Sequence, residues 1–259
     1  MKLAIITGAG SGIGLATAVS LNAMGIAVLG VGRDAEKLKA MEAQINDPER
    51  VGSLAIDVTL DEAPEAIAAA AVARWGRIDY LINNAGVGRP KPVHETSDED
   101  LDAILGLMLR APFRLSRACL PHMPKGSAII NVTSTFALVG GLRGGAYSAA
   151  KAGLTGLTQH MACQYGFEGI RANCVAPGVT PTPMTEGRYE DEMFQKMNNH
   201  MTPYYRLGKV EDIAGTIAFL CSPAGEFING QTIAVDGGWT STKYLSEFAR
   251  TAKWVPTDA

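Results

Sequence analysis

The sequence predicts an α/β fold: a single domain built on a doubly wound, seven-stranded parallel sheet with helices on both faces. Three observations carry this. Seven short runs rich in Ile, Val and Leu recur along the 259 residues, separated by longer helix-like segments. The runs are continuous rather than alternating, as in strands buried on both faces. A glycine-rich turn joins the first run to the first helical segment, and no repeat, charge run or low-complexity linker divides the chain.

"KLAIIT" (2–7) is the first strand, and "TGAGSGIG" (7–14) leads from it into a helix over 12–24. Gly8, Gly12 and Gly14 let the backbone turn tightly, approach a pyrophosphate and pack helix on strand. The helix start, with Ser11 and Ile13 in the same turn, offers unpaired N–H groups to phosphates. "AVLGV" (27–31) is the second strand. An acidic residue at its end would bind ribose hydroxyls, but this chain has Gly32 and then Arg33. A guanidinium suits a 2′-phosphate, so NADP is the expected cofactor and NAD the second choice. In the alternative, Arg33 is merely solvated and Asp34 caps the next helix, over 34–45. The remaining strands are "GSLAID" (52–57), "YLIN" (80–83), "AIINV" (128–132), "RANCVA" (171–176) and "QTIAV" (231–235). Helices are expected near 64–75, 98–123, 147–166 and 210–221. Two stretches break the rhythm: 178–209, rich in Pro, Met and Tyr, and the tail after Gly238.

Charged residues make up 19% of the chain and the net charge is -3, so no basic surface suits nucleic acid. Cys119, Cys163, Cys174 and Cys221 are widely spaced with no C-x-x-C, the pattern of reduced thiols rather than of a disulfide frame or zinc site. His160 and Cys163 stand three apart on a helix, too few ligands for a metal, and none is expected. No signal-peptide layout precedes the first strand, and the apolar stretch "APEAIAAAAVARW" is too short to span a bilayer. A soluble, cytoplasmic protein with no membrane partner is expected.

"AYSAAKAGL" (146–154) sets Tyr147 four residues before Lys151, so both polar tips stand on one helix face. A free tyrosine titrates near pH ~10 and is a poor acid or base at neutrality. The pair alone does not separate chemistry from a surface Tyr beside a surface Lys.

Seven segments taken together do. "TGAGSGIG" (7–14), "IDV" (56–58), "NNAG" (83–86), "INVTS" (130–134), "YSAAK" (147–151), "NCVAPG" (173–178) and "GQTIAVDGG" (230–238) occur in order along nearly the whole chain. The chain resembles the roughly 250-residue branch of the short-chain dehydrogenase/reductase family, which implies a Rossmann-type fold and a hydride-transferring oxidoreductase. The resemblance implies that Asp57 and Val58 border the adenine. Asn83 or Asn84, with Ala85 and Gly86, would line the cofactor. Pro177, Gly178, Thr180 and Thr182 would hold the nicotinamide carboxamide and phosphates. Ser134 would bind the substrate oxygen, Tyr147 would be the general acid/base, and Lys151 would stabilise its phenolate, the last two also touching the cofactor. Bringing the phenol near pH 7 takes about 4 kcal/mol, which Lys151 and a positive nicotinamide are expected to supply.

One position departs from the family pattern. An asparagine that helps order a proton-relay water falls here on Met108. Pro112, four residues on, has no N–H, so the Met108 carbonyl loses its helical donor; either that carbonyl holds the water or the helix simply breaks there. Met184, Tyr189, Met193, Phe194, Met197, His200, Met201, Tyr204 and Tyr205 in 178–209, with Phe136, Val139, Leu142 and Arg143 opposite, suit an apolar or ring-containing small molecule; subunit contacts are the alternative. The resemblance also implies a homotetramer or homodimer through the helix bearing Ala149, Ala152, Gly153 and Gly156. The tail, with Trp239, Tyr244, Leu245, Phe248 and Trp254, is expected to pack on a neighbouring subunit or over a substrate entrance. Alternatives to a carbonyl/secondary-alcohol oxidoreductase are a non-catalytic dinucleotide-binding sensor or assembly protein, an NAD-preferring dehydrogenase, and an epimerase or dehydratase.

Overall fold

The computed structural model describes residues 1–45, 47–88, 91–185, 187–188 and 190–242. Seven strands, β1 (Leu3–Thr7), β2 (Ala27–Gly32), β3 (Val51–Ala55), β4 (Tyr80–Asn83), β5 (Ala128–Val132), β6 (Arg171–Pro177) and β7 (Thr232–Val235), form one sheet. Their order is β3-β2-β1-β4-β5-β6-β7, and every neighbouring pair is parallel. The helices are α1 (Gly12–Ala23), α2 (Ala35–Ile45), α3 (Ala63–Trp75), α4 (Asp98–Leu105), α5 (Ala111–Cys119), α6 (Gly145–Tyr165), α7 (Glu192–Met201) and α8 (Val210–Leu220).

The strands read as unbroken apolar runs because alternate side chains enter different cores. Leu3 and Ile5 of β1 pack with Ile67, Ala68 and Ala71 of α3, Leu115 of α5 and Met161 of α6. Ala4 and Ile6 pack on the other face with Leu21 of α1, Leu38 and Met41 of α2, and Ile213 and Ile217 of α8. Burying each large aliphatic side chain is worth about 1.5–3 kcal/mol. The propensity differences between ordinary residues are only tenths of a kcal/mol, so the two layers of helices are held by packing on the sheet.

Strand β1 lies between β2 and β4, so the winding direction reverses there. A crevice therefore opens beyond the carboxyl ends of β1 and β4, where open α/β sheets bind ligands. The glycine turn leaves β1 at this point and "NNAG" leaves β4.

The helix expected over 98–123 is not one regular helix. It consists of α4, a π-helical turn over Gly106–Arg110, α5, and a 3-10 turn over Leu120–His122. In the π turn the Ala111 N–H donates to the Gly106 carbonyl, five residues back. The extra residue absorbs the mismatch at Pro112, the second residue of α5, where a missing N–H is tolerated. Helix α7 lies within the stretch read as irregular. It is capped by Asp191, which accepts from the N–H groups of Met193 and Phe194. Among the described residues no helix is long and apolar enough to cross a membrane, and no group of three or more His, Cys, Asp or Glu side chains is placed to hold a metal.

Candidate active site

The glycine turn is tied to the end of β4. The Thr7 hydroxyl accepts from the N–H groups of Asn84 and Ala85 at 2.9 and 3.0 Å, and the Asn84 amide donates to the Thr7 carbonyl at 2.9 Å. Gly8 (φ +69°) and Gly12 (φ +53°) are left-handed. At Gly14 a Cβ would overlap the Gly8 carbonyl oxygen and lie 2.7 Å from the Asn84 amide nitrogen, so only glycine lets α1 come this close. Ser11, the N-cap residue of α1, is extended and gives no side-chain cap, which leaves the first N–H groups of α1 without a side-chain acceptor from it. This cradle, closed to a Cβ at Gly14, fits a dinucleotide pyrophosphate.

At the end of β2 the Arg33 side chain is 75% exposed, with the Asp57 carboxylate 3.9 Å away. Asp57 also accepts from the Thr59 N–H and hydroxyl at 2.9 and 2.8 Å. Asp34 caps α2, accepting from the N–H groups of Glu36 and Lys37. The cap therefore occupies the acid, and Arg33 projects at the end of β2 beside Asp57. Val58 faces inward, buried among Leu29, Val31 and Ala63.

Asn83 and Asn84 separate in role. Asn83 is buried and donates to the Asn131 side chain at 2.8 Å, so its side chain joins β4 to β5 and does not line the cleft. Asn84 faces the glycine turn instead. Across the cleft, Pro177 ends β6 and the Gly178 N–H donates to the Val235 carbonyl at 3.0 Å. The Thr180 hydroxyl donates to the Gly178 carbonyl, and the Thr182 N–H donates to the Thr185 hydroxyl. The Thr182 methyl stands 3.2 Å from where a Gly12 Cβ would be, so the loop after β6 meets the loop after β1.

Ser134 follows β5, and its hydroxyl accepts from the Phe136 N–H at 3.2 Å. Tyr147 and Lys151 share one face of α6, with the Lys151 ammonium 5.8 Å from the Tyr147 ring centre. Lys151 is buried and donates to the Val132 carbonyl of β5 at 2.8 Å. Burial pushes the Tyr147 phenol up, and a hydrogen bond with Ser134 opposes that shift. Burial also lowers Lys151 to about 8. Desolvation disfavours the phenolate, and the Lys151 ammonium, with one of its three N–H donors on β5, is held one turn away.

Met108 is buried between the cofactor-side loop and α6. Its sulfur is 3.4 Å from where a Gly86 Cβ would be, and its side chain packs with Ile104 and Ala150, with Tyr147 beside them. The position that carries an asparagine in the family pattern is here an apolar prop in the π turn behind Tyr147.

The family model described as enoyl-(acyl carrier protein) reductase matches residues 8–240. Gluconate 5-dehydrogenase of Gluconobacter oxydans (strain 621H) is 38% identical over 240 residues, 92% of this chain and 94% of that protein. Cis-4-hydroxycyclohexanecarboxylate dehydrogenase of Sinomonas cyclohexanicum is 37% identical over 244 residues, 93% and 97% of the two chains. The crystal structure of 3-ketoacyl-(acyl-carrier-protein) reductase from Brucella melitensis, complexed with NADH, superposes with a TM-score of 0.85 at 30% identity. It covers 92% of this chain and 98% of that one. This chain belongs to the short-chain dehydrogenase/reductase family. It is an enzyme of that family, and relatives such as the NADH complex bind a nicotinamide cofactor.

In this dehydrogenase/reductase the stretch 178–209 bridges two parts of the cleft. The Met184 side chain lies 2.9 Å from where a Gly88 Cβ would be and reaches toward Gly86, over the loop after β4. Thr202, Pro203 and Tyr204 pack on Gly237 and Gly238. Met193, Met197, Tyr204 and Tyr205 are exposed, so these apolar groups do not build an internal core. Tyr189 lies outside the described residues, as do Tyr244, Leu245, Phe248 and Trp254 of the tail. Trp239 is described and packs within its own subunit, on Phe136 at 6.1 Å between ring centres. Phe136 in turn meets Tyr147 edge to face at 6.3 Å. The link from Trp239 through Phe136 to Tyr147 was illegible in the sequence, where 103 residues separate Trp239 from Phe136 (239 − 136). The signal that could have hinted at it was "VDGGW", an acid and two glycines before an aromatic residue.

Proposed function

We propose that this dehydrogenase/reductase transfers a hydride between a nicotinamide dinucleotide, NADP in preference to NAD, and a carbonyl/secondary-alcohol pair on an apolar or ring-containing small molecule. The observation that carries it is the juxtaposition of Ser134, Tyr147 and Lys151 beside the glycine cradle. The dinucleotide would be held by Gly8, Ser11, Gly12, Ile13 and Gly14, by Asp57 and Val58 beside Arg33, by Asn84, Ala85 and Gly86, by Tyr147 and Lys151, and by Pro177, Gly178, Thr180 and Thr182. When bound, the nicotinamide supplies or accepts the hydride.

Ser134 holds the substrate oxygen by a hydrogen bond, stronger as negative charge develops on that oxygen. In reduction the carbon gains the hydride and the oxygen takes the proton of the Tyr147 phenol; in oxidation both transfers reverse. A phenol raised by burial is suited to the first direction, since it keeps its proton until the alkoxide forms. The Val132 carbonyl fixes the Lys151 ammonium one turn from Tyr147, where it steadies the phenolate left behind. A panel of ketones and alcohols followed by nicotinamide absorbance tests the whole reading: tight dinucleotide binding without turnover of any of them would move it to a sensor or assembly role.

Arg33 supports NADP, being the exposed cation where an acid would repel a 2′-phosphate. Arg33→Ser is expected to raise the KM for NADPH at least tenfold, the value of about one charge-assisted hydrogen bond, and to change that for NADH by less. Equal effects on the two cofactors would remove the preference for NADP. Exposed small residues Ala149, Ala152 and Gly156 on α6, with exposed Phe113 on α5, support a homodimer or homotetramer through this face. Sedimentation as a monomer would exclude it.

A further inference from the structure

The segment after β7 is built as a rigid turn that carries one large ring to the catalytic tyrosine. The Asp236 carboxylate accepts from the N–H groups of Gly238 and Thr240, both at 2.9 Å, and from the Thr240 hydroxyl at 2.6 Å. Gly237 (φ +64°) and Gly238 (φ +89°) are both left-handed, a pair of conformations that side-chain-bearing residues resist. The outer side of this turn is closed by Thr202, Tyr204 and Pro203, each about 3 Å from where a glycine Cβ would be. Trp239 leaves the turn held on both sides, and its ring meets Phe136 tilted at 56°, with ring centres 6.1 Å apart.

Phe136 is placed with similar care. It stands two residues after Ser134, and its own N–H is bound by the Ser134 hydroxyl. Gly141 and Gly144 pack so closely on its ring that a Cβ at Gly141 would overlap it. Both Phe136 and Trp239 remain half-buried, and next to them Leu138, Val139 and Leu142 turn apolar side chains outward, Leu142 to 90% exposure. An apolar rim continuous with a catalytic group is a ligand surface rather than a solvated one.

We propose that Trp239 and Phe136 are specificity-determining residues forming an aromatic wall beside Tyr147, which selects substrates carrying a flat ring next to the reacting carbonyl over open-chain ones. Asp236 is the positioning residue that aims Trp239. This rests on the carbonyl/secondary-alcohol reading above and deepens it: the proton donor sits at one end of the wall, so the ring of the substrate lies along Phe136 and Trp239 while its oxygen meets Ser134 and Tyr147. Flat rings gain from such faces by stacking, whereas a flexible chain of the same carbon number must be ordered to use them.

Two compounds of equal carbon count, 2-tetralone and 2-decanone, read the wall directly on the full-length protein with NADPH or NADH. Wild type is expected to favour 2-tetralone in kcat/KM. Trp239→Leu should reduce the ratio of the two kcat/KM values at least tenfold, mostly through the KM for 2-tetralone, and Trp239→Phe should restore most of it. A ratio in Trp239→Leu within twofold of wild type overturns the wall. Binding is followed separately through Trp239 fluorescence in a chain carrying Trp75→Phe and Trp254→Phe, which needs no turnover. Saturable quenching by 2-tetralone but not by 2-decanone, in a protein that reduces neither, upholds the wall while refuting the carbonyl reading. Absence of selective quenching overturns the wall whatever the turnover.

Discussion

Tyr147→Phe is expected to lower kcat by about 10²–10⁴-fold while leaving the protein folded and its dinucleotide affinity within a few-fold. The substitution removes one oxygen from a half-buried ring. Its edge-to-face contact with Phe136 at 6.3 Å and its packing beside Met108 need only the ring, so both should survive. What is lost is the acidic proton and the Ser134 hydrogen bond. Nicotinamide absorbance with 2-tetralone measures kcat, and dinucleotide fluorescence measures binding. Turnover within tenfold of wild type would assign the proton to another group. The same geometry fixes a pH dependence. Lys151, lowered to about 8 by burial, carries its charge below that pH and loses it above. Ketone reduction should therefore be level near pH 7 and decline as pH rises through about 8. In Lys151→Met it should be slow throughout and lack that limb. A wild-type profile unchanged to pH 10 would show that the ammonium charge is not needed.

Gly14→Ala is expected to weaken dinucleotide binding at least tenfold and to destabilise the fold by about 1–3 kcal/mol, the range for overpacking a closed interior. The new methyl would overlap the Gly8 carbonyl oxygen, a backbone atom, and press on the Asn84 side-chain amide, which the Thr7 carbonyl holds in place. The Gly8 carbonyl cannot rotate away as the tip of a flexible side chain would, and the Asn84 amide can do so only by giving up its bond to Thr7, so α1 must move off β1 and the turn must open. Gly215→Ala on α8 is the internal comparison. No atom lies within 4 Å of its added Cβ, and helix propensity favours the change by up to about 1 kcal/mol. Thermal unfolding should separate the two in sign, Gly14→Ala falling by several degrees and Gly215→Ala holding or rising. Equal stability and unchanged dinucleotide affinity in Gly14→Ala would show that the turn is not the closed cradle described.

Much of the candidate site was legible because its parts are local. The glycine turn is eight consecutive residues, and Tyr147 and Lys151 face together through helix periodicity alone. Arg33 was legible as the charge following β2, and the structure adds that Asp34 is occupied in capping α2. The helix through Met108 was legible as a helix. Its π turn was not, because whether a proline breaks a helix or is absorbed by one extra residue depends on what packs there, here Gly86 and Ala150.

The sequence by itself determined the fold class, the seven strands, the glycine turn after the first of them and the spacing of Ser134, Tyr147 and Lys151. The fold class, the turn and the Tyr147–Lys151 pair follow from hydrophobic periodicity or short-range stereochemistry, which act over a few residues, whereas Ser134 entered through the family resemblance. Only the tertiary structure decided that Asn83 serves the sheet while Asn84 serves the turn, that burial pushes the Tyr147 phenol up while Lys151 binds β5, and that Trp239 reaches Phe136. Desolvation and ring contacts depend on which distant segments meet. That is set by the closing of two helix layers on the sheet, not by any neighbour in sequence.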